Sequence, residues 1–225
     1  MDNNDSAAGF PEQGAAPDEE LQAVAFVGDT LAPFFLQDPR TGTATASFDA
    51  MAALDVDAAA AVWPFVEEDE ARADLRLMVD GLAQGRDDAL VNEYRRLFIG
   101  PNPKPAPPWG SVYTDRECVV FGLTTLDLRE WMRAQGIART TDERTPEDHI
   151  GLMLALMAYV ALNKPEVLDE YLQKHLLTWS SHFLDELADA AGHPFYRGLA
   201  KLTKASLEGI GRDRGIEVVY PRFYR

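Results

Sequence analysis

The segment Gly100-Pro-Asn-Pro-Lys-Pro-Ala-Pro-Pro-Trp-Gly-Ser holds five prolines within eight residues, Pro101, Pro103, Pro105, Pro107 and Pro108. Each ring fixes φ and removes a backbone donor, so the chain here is stiff and close to polyproline II. The run ends in Trp109-Gly110-Ser111-Val112-Tyr113, and Tyr94, Leu97 and Phe98 flank it upstream. A rigid loop that holds an indole beside an aromatic helix face can form the wall of a peptide or ligand groove. It can equally be a connector pinned to the core by Trp109. A second constellation is Thr145-Pro146-Glu147-Asp148-His149. Thr145 suits an N-cap, Pro146 the first helical position, and Asp148 the third position, where it would complete a capping box. That reading leaves His149 unexplained. An Asp-His pair at the positive end of a helix can recognise a cationic or hydrogen-bonding ligand, although no nucleophile lies nearby in sequence for it to activate.

Other chemistry is poorly supported by spacing. His175 and His182 are seven residues apart with Trp179 between them, so on a continuous helix they share a face, and aromatic packing is their expected role. There is no H-E-x-x-H, no cysteine cluster and no acidic set at calcium spacing, and no metal is expected. Neither a phosphate-binding G-x-x-x-x-G-K-[ST] nor a strand-bound G-x-G-x-x-G occurs, and two acids occupy the helix start that would otherwise attract phosphate. Cys118, in Glu-Cys-Val-Val-Phe, reads as a buried thiol.

The charge excludes further classes. With 37 acids against 21 bases the chain carries a formal −16. A nucleic-acid binder would need a basic stripe, and an anionic membrane would repel this surface. One cysteine rules out an intramolecular disulfide framework and favours a reducing compartment. Met1 to Glu20 lacks the basic and apolar regions of a secretory signal, and no stretch is long and apolar enough to span a bilayer, so a cytoplasmic location is expected.

The elements that must position these residues read as helices. Residues 1 to 20 are acidic, without Lys or Arg, and are expected to form a disordered tail. Residues 21 to 225 form one domain. Leu21 begins an apolar-faced helix that Asp38-Pro39 stops. After a loop over 41 to 46, Ser47 or Asp49 caps a short helix and Asp57 the next, with a break at Trp63-Pro64. Helices follow over Glu67 to Gln84, from Asp87 or Asp88 to Phe98, and from Thr124 or Thr125 to near Gly136. After the polar loop Asp142 to Arg144 come Pro146 to Leu162, Pro165 to about Leu177, Ser180 or Ser181 to Ala191, and Pro194 to about Gly211. Residues 100 to 112 are irregular, and 216 to 225 extended and basic at the end. Glu217 to Tyr220 is the single strand candidate. The fold class is all-α, a single-domain bundle of about nine to eleven helices.

The motifs Tyr94-Arg-Arg-Leu97-Phe98-Ile-Gly100-Pro101, Pro107-Pro108-Trp109-Gly110-Ser111-Val112-Tyr113, Asp115-Arg116-Glu117, Phe121-Gly122 with Thr125, and Pro146-Glu147-Asp148-His149 closely resemble the TorD/DmsD family of redox-enzyme maturation chaperones. Trp179-Ser180 through Leu184, and Gly192-His193-Pro194-Phe195-Tyr196, look like its DmsD branch. The likeness runs from about Glu93 to the end of the chain. It implies a TorD-like all-helical cytoplasmic chaperone, at times at the inner face of the membrane. Such a protein binds the twin-arginine leader of a molybdopterin oxidoreductase of dimethyl sulfoxide reductase type. It holds the precursor for cofactor insertion and releases it to the Tat translocase, in contact with the molybdenum-cofactor machinery. The family's leader-binding positions fall on Tyr94, Leu97, Phe98, Pro108, Trp109, Asp148 and His149. Ser111 and Glu117 join them in the matching motifs. One departure is Thr145, where the family usually has Glu before Pro-x-Asp-His; Glu143 is the candidate to substitute.

Trp109, Tyr94, Leu97 and Phe98 would take the apolar run of the leader, and Asp148, helped by Glu147 or Glu117, would take arginine in a bidentate pair. No catalysis and no cofactor are expected. Two alternatives stay open here. One is a nucleotide-hydrolysing accessory enzyme using Asp148 and His149, since weak GTP binding is associated with the family. The other is a helical structural subunit of a redox complex.

Overall fold

The computed structural model describes residues 18–139 and 145–225. The acidic segment up to residue 17 and Glu143 lie outside the described residues. Eleven α-helices and no strand occur among the described residues.

The first helix, α1 (Glu19–Leu36), starts two residues before the expected Leu21, because Asp18 caps it by accepting from the Glu20 N–H at 3.0 Å and two glutamates occupy its positive end. It buries Val24, Val27, Leu31, Phe34 and Phe35. Next come α2 (Thr45–Ala52) and α3 (Val56–Val62). A 3-10 turn over Gly42–Ala44 runs straight into α2, so neither Ser47 nor Asp49 is its cap. Asp55, not Asp57, caps α3, accepting from Ala58 N–H at 3.1 Å; Asp57 instead pairs with Arg72 at 2.9 Å. The next elements are α4 (Glu68–Gly81) and α5 (Asp88–Tyr94), the latter capped by Asp87 as expected. A π turn over Arg95–Ile99 carries α5 to Gly100, whose φ of 110° only glycine adopts without strain.

The irregular stretch then yields the short α6 (Gly110–Thr114), which the proline pattern concealed. After α7 (Leu123–Ala134) comes α8 (Ile150–Asn163). The expected helix after Pro165 is a 3-10 turn, the one-turn α9 (Leu168–Tyr171) and a π turn over Leu172–Leu176. The last two are α10 (Ser180–Ala190) and α11 (Pro194–Asp213). Glu217 to Tyr220 forms no strand; it has no regular secondary structure and is largely exposed.

Packing centres on α1 against α8 and on α11 against α4 and α10. Gly28 permits the first contact: a Cβ there would sit 2.4 Å from the Leu154 carbonyl oxygen. The core is aromatic where α1, α2 and α11 meet, with Phe34, Phe48 and Phe195 ring centroids 5.1–5.3 Å apart. No helix among the described residues is long and apolar enough to cross a membrane.

Candidate functional site

Two irregular segments, the proline loop and the turn before α8, are tied together by their backbones. Gly110 N–H donates to the Asp148 carbonyl at 3.1 Å and Ile150 N–H to the Pro108 carbonyl at 2.8 Å. Trp109 and His149 form the one isolated bridge among the described residues. The prolines make this docking necessary, since the loop has few N–H groups with which to satisfy itself.

This arrangement corrects the expected helix start. The helix α8 begins at Ile150, four residues after Pro146, and its cap is His149, whose Nδ1 accepts from Gly151 N–H at 3.2 Å. Thr145 is not the cap. Asp148 does not close a capping box either. Its Oδ2 accepts from Ser111 N–H at 2.8 Å, which satisfies an otherwise unpaired amide in the first turn of α6. Asp148 is 1% exposed and His149 5%. Burial pushes the Asp148 carboxyl up, while the Ser111 N–H and the Ser111 and Thr125 hydroxyls pull it back. Burial, with the charge of Lys104, drives His149 down to about 3. His149 is therefore neutral near pH 7, as its accepting role requires. An acid-base pair facing solvent is not what this geometry provides.

Trp109 is half-buried. Its ring meets His149 edge-on at 5.6 Å, and Lys104 Nζ lies over it at 5.3 Å. Pro108 and Ser111 are buried beneath it. Tyr94, Leu97 and Phe98, expected to share an open wall with Trp109, belong to the core instead, because the apolar face of α5 packs inward on α1 and α11. Tyr94 Oη donates to the Phe35 carbonyl at 3.4 Å, and Phe98 packs on Phe35 and Tyr196 at 6.0 and 5.8 Å. Leu97 is wholly buried. Asp148, expected at the mouth of a cleft, lies below the surface. Glu147, one of its two expected helpers, is engaged by Arg129 at 2.6 Å. Glu117, the other, is exposed on the loop that follows α6.

That loop and the start of α7 form an exposed apolar surface that the sequence pattern did not single out. Val119, Val120, Phe121, Leu123 and Leu126 are all exposed, and Cys118, expected to be buried, is exposed with them. The apolar letters around Cys118 suggested burial; the turn that places both Cys118 and Phe121 at positive φ turns them outward. Thr124 Oγ1 donates to Asp115 at 2.8 Å and contacts Thr114 Oγ1 at 2.7 Å, fixing the loop to α6. Arg129, over the Phe121 ring at 5.3 Å, joins it to Glu147. Beyond Glu147 an apolar trough of about 380 Å³ opens between α7 and α8, lined by Met132, Ile137, Leu152, Leu156 and Tyr159. A run of apolar residues without helical period, as in Cys-Val-Val-Phe, was the available signal for the loop; nothing marked the trough. A second apolar groove of about 440 Å³ lies away from these elements, among Phe26, Met51, Leu54, Val62 and Trp63, with Asp29 at its wall pushed up by burial.

The two histidines do not share a face, because a turn at 177–179 interrupts the helix. His175 packs on Trp131 at 5.4 Å and is driven by burial to about 4; His182 stacks on Phe223 at 4.4 Å. No group of three metal-ligating side chains occurs among the described residues.

A family model described as nitrate reductase delta subunit matches residues 67–186, which includes the proline loop, the exposed loop and the Asp148-His149 turn. The chain is 46% identical over 144 residues to a probable Tat proofreading chaperone DmsD of Haemophilus influenzae, covering 64% of this chain and 71% of that one. It is 48% identical over 122 residues to the Tat proofreading chaperone DmsD of Salmonella typhimurium, covering 54% and 60%. The chaperone protein TorD of Vibrio cholerae is 24% identical over 159 residues, covering 63% and 72%.

Proposed function

The chain belongs to the TorD/DmsD family of redox-enzyme maturation chaperones, in its DmsD-like branch, and from that premise we propose that it binds the twin-arginine leader of a molybdopterin oxidoreductase precursor. The precursor class is the dimethyl sulfoxide reductase type. The chaperone holds it without turnover until the cofactor is inserted, in the cytoplasm and transiently at the inner face of the membrane. It then passes the precursor to the Tat translocase. No bound cofactor is needed for this role.

The observation that carries the reading is a half-buried indole on a rigid loop, Trp109, joined by backbone hydrogen bonds to the Asp148-His149 turn, whose neighbour Glu147 lines the apolar trough between α7 and α8. A leader is an arginine pair followed by an apolar run. The trough between α7 and α8 suits the apolar run, since a concave apolar site removes more of it from water than a flat one. Trp109 anchors the junction. Glu117 is an exposed carboxylate available to a guanidinium, while Asp148 and His149 hold Ser111, Gly110 and Gly151 in place and act as positioning residues. Tyr94, Leu97, Phe98 and Pro108 support the loop from beneath. The formal −16 steers a cationic leader toward the protein.

A disordered leader must be ordered on binding, which limits affinity to about micromolar, near −8 kcal/mol. Calorimetric titration with a twin-arginine leader peptide tests this. One site of that affinity is expected, and Trp109→Ala, still folded by circular dichroism, weakens it by more than about 1 kcal/mol. No heat, or equal binding of a scrambled peptide, overturns the reading.

A further inference from the structure

The segment after α11 does not end free in solvent. From Ile216 onward its side chains alternate between the protein and water, and Ile216, Val218 and Phe223 pack against the core. Tyr224 N–H donates to the Tyr113 carbonyl at 2.9 Å. Phe223 lies flat on the His182 ring, 4.4 Å between centroids and 7° from parallel, and His182 Nε2 sits 2.9 Å from the Arg225 carbonyl oxygen. Arg225 reaches back to the proline loop. Its Nη2 donates to the Pro105 carbonyl at 2.7 Å and the Lys104 carbonyl at 3.4 Å, and its Nε lies 3.5 Å from Glu186 Oε2.

The chemistry of that pocket follows from the prolines. Alternating Pro removes backbone donors and leaves carbonyl acceptors in excess, and a guanidinium, with five N–H groups and no acceptor, is the side chain that complements such a surface. Glu186 adds the opposite charge, and His182 and Tyr113 supply an aromatic shelf beside it. The same loop carries Trp109 four residues after Pro105, and Lys104 lies over the Trp109 ring. The arginine pocket is thus continuous with the proposed leader site.

Resting on the leader-binding reading, we propose that Glu186, the Lys104 and Pro105 carbonyls and the His182–Tyr113 shelf form an arginine subsite for the leader, and that Phe223-Tyr224-Arg225 occupies it in the free chaperone. The strap is an internal stand-in for an arginine beside apolar residues. Arg225 and Glu186 remain 38% and 30% exposed, and exposed ion pairs are weak, so a leader arginine can displace the strap. The leader then gains a fork of hydrogen bonds only by breaking an equivalent one, which keeps its binding reversible.

Fluorescence anisotropy of a labelled leader peptide, in its twin-arginine and twin-lysine forms, tests the exchange with the full chain. Arg225→Ala empties the subsite, and its affinity for the twin-arginine peptide rises about three- to fivefold over the wild type. The twin-lysine peptide, which cannot make the fork, shows no such gain. Glu186→Gln in the Arg225→Ala background reverses the gain. Equal or weaker twin-arginine binding by folded Arg225→Ala, or an equal gain for both peptides, overturns the subsite while leaving leader binding standing. Absence of binding by every variant, the wild type included, instead removes the leader reading on which it rests.

Discussion

Asp148 acts on α6 through the Ser111 N–H, which its carboxylate accepts, and through the Gly110 N–H, which its carbonyl accepts. Its carboxylate fixes the first turn of α6, and His149 next to it fixes the first turn of α8, so adjacent residues set the two helix ends that frame Trp109. Both are buried, and burial has opposite consequences for acids and bases. His149 is held at about 3 and His175 at about 4 in the fold, against about 6.5 in an unfolded chain. Below about pH 6.5 the unfolded state therefore binds more protons than the native state, and their contribution to stability is lost as pH falls toward 4. Asp74 runs the other way. Burial and the charge of Glu70 raise it to about 6 despite Lys201, so its unfavourable ionisation sets in as pH rises from about 4 to 6. Urea unfolding at a series of pH values separates them. His149→Asn, which keeps an N-cap acceptor without a proton to gain, loses about 2 kcal/mol less than wild type between pH 7 and pH 4.5. Asp74→Asn is about 1–3 kcal/mol more stable than wild type at pH 7 and no different at pH 4. Parallel pH profiles for wild type and both variants would contradict this. At this scale residue types were legible in the sequence but their partners were not: Asp148 pairs with Ser111, 37 residues away, and no local spacing encodes that.

Helices here are specified locally and assembled by close approach. Of the caps, Asp87 was among the expected residues, whereas Asp55 caps where Asp57 was expected and Asp18 caps a helix expected to start at Leu21; the long helices follow from apolar period and helix stops. What sequence period does not carry is the short α6, the π turns at Arg95–Ile99 and Leu172–Leu176, and the shift of the α8 start from Pro146 to Ile150. Each depends on tertiary hydrogen bonds to the proline loop or on packing of aromatic rings. The contact of α1 with α8 is set by Gly28 over the Leu154 carbonyl. Gly28→Ala has a better helix former at a helical position, worth about 1 kcal/mol in isolation. It also forces a Cβ against backbone oxygen, and overpacking costs about 1–3 kcal/mol or more. The clash wins because a carbonyl in α8 cannot rotate away. Chemical denaturation should show net destabilisation of about 1–2 kcal/mol; a neutral or stabilising effect would mean that α1 and α8 are free to separate.

Across the whole molecule, the helical class and the family were legible from composition and motif, and the structure and the family comparison agree with them. The shape of the site was not. Tyr94, Leu97 and Phe98 are neighbours of the proline loop in sequence yet serve the core, whereas the exposed apolar residues from Val119 into the first turn of α7 and the trough between α7 and α8 emerge only in the folded chain. Among the described residues one apolar concavity borders Glu147, beside the turn joined to the Trp109 loop, and another lies among α1, α2 and α3. We assign the leader to the first. A twin-arginine leader peptide carrying a photoreactive benzophenone in its apolar run, crosslinked to the protein and mapped by mass spectrometry, decides between them. Crosslinks at Trp109 and at Met132, Ile137, Leu152 or Leu156 are the predicted result; crosslinks confined to Phe26, Met51, Leu54, Val62 and Trp63 would contradict it.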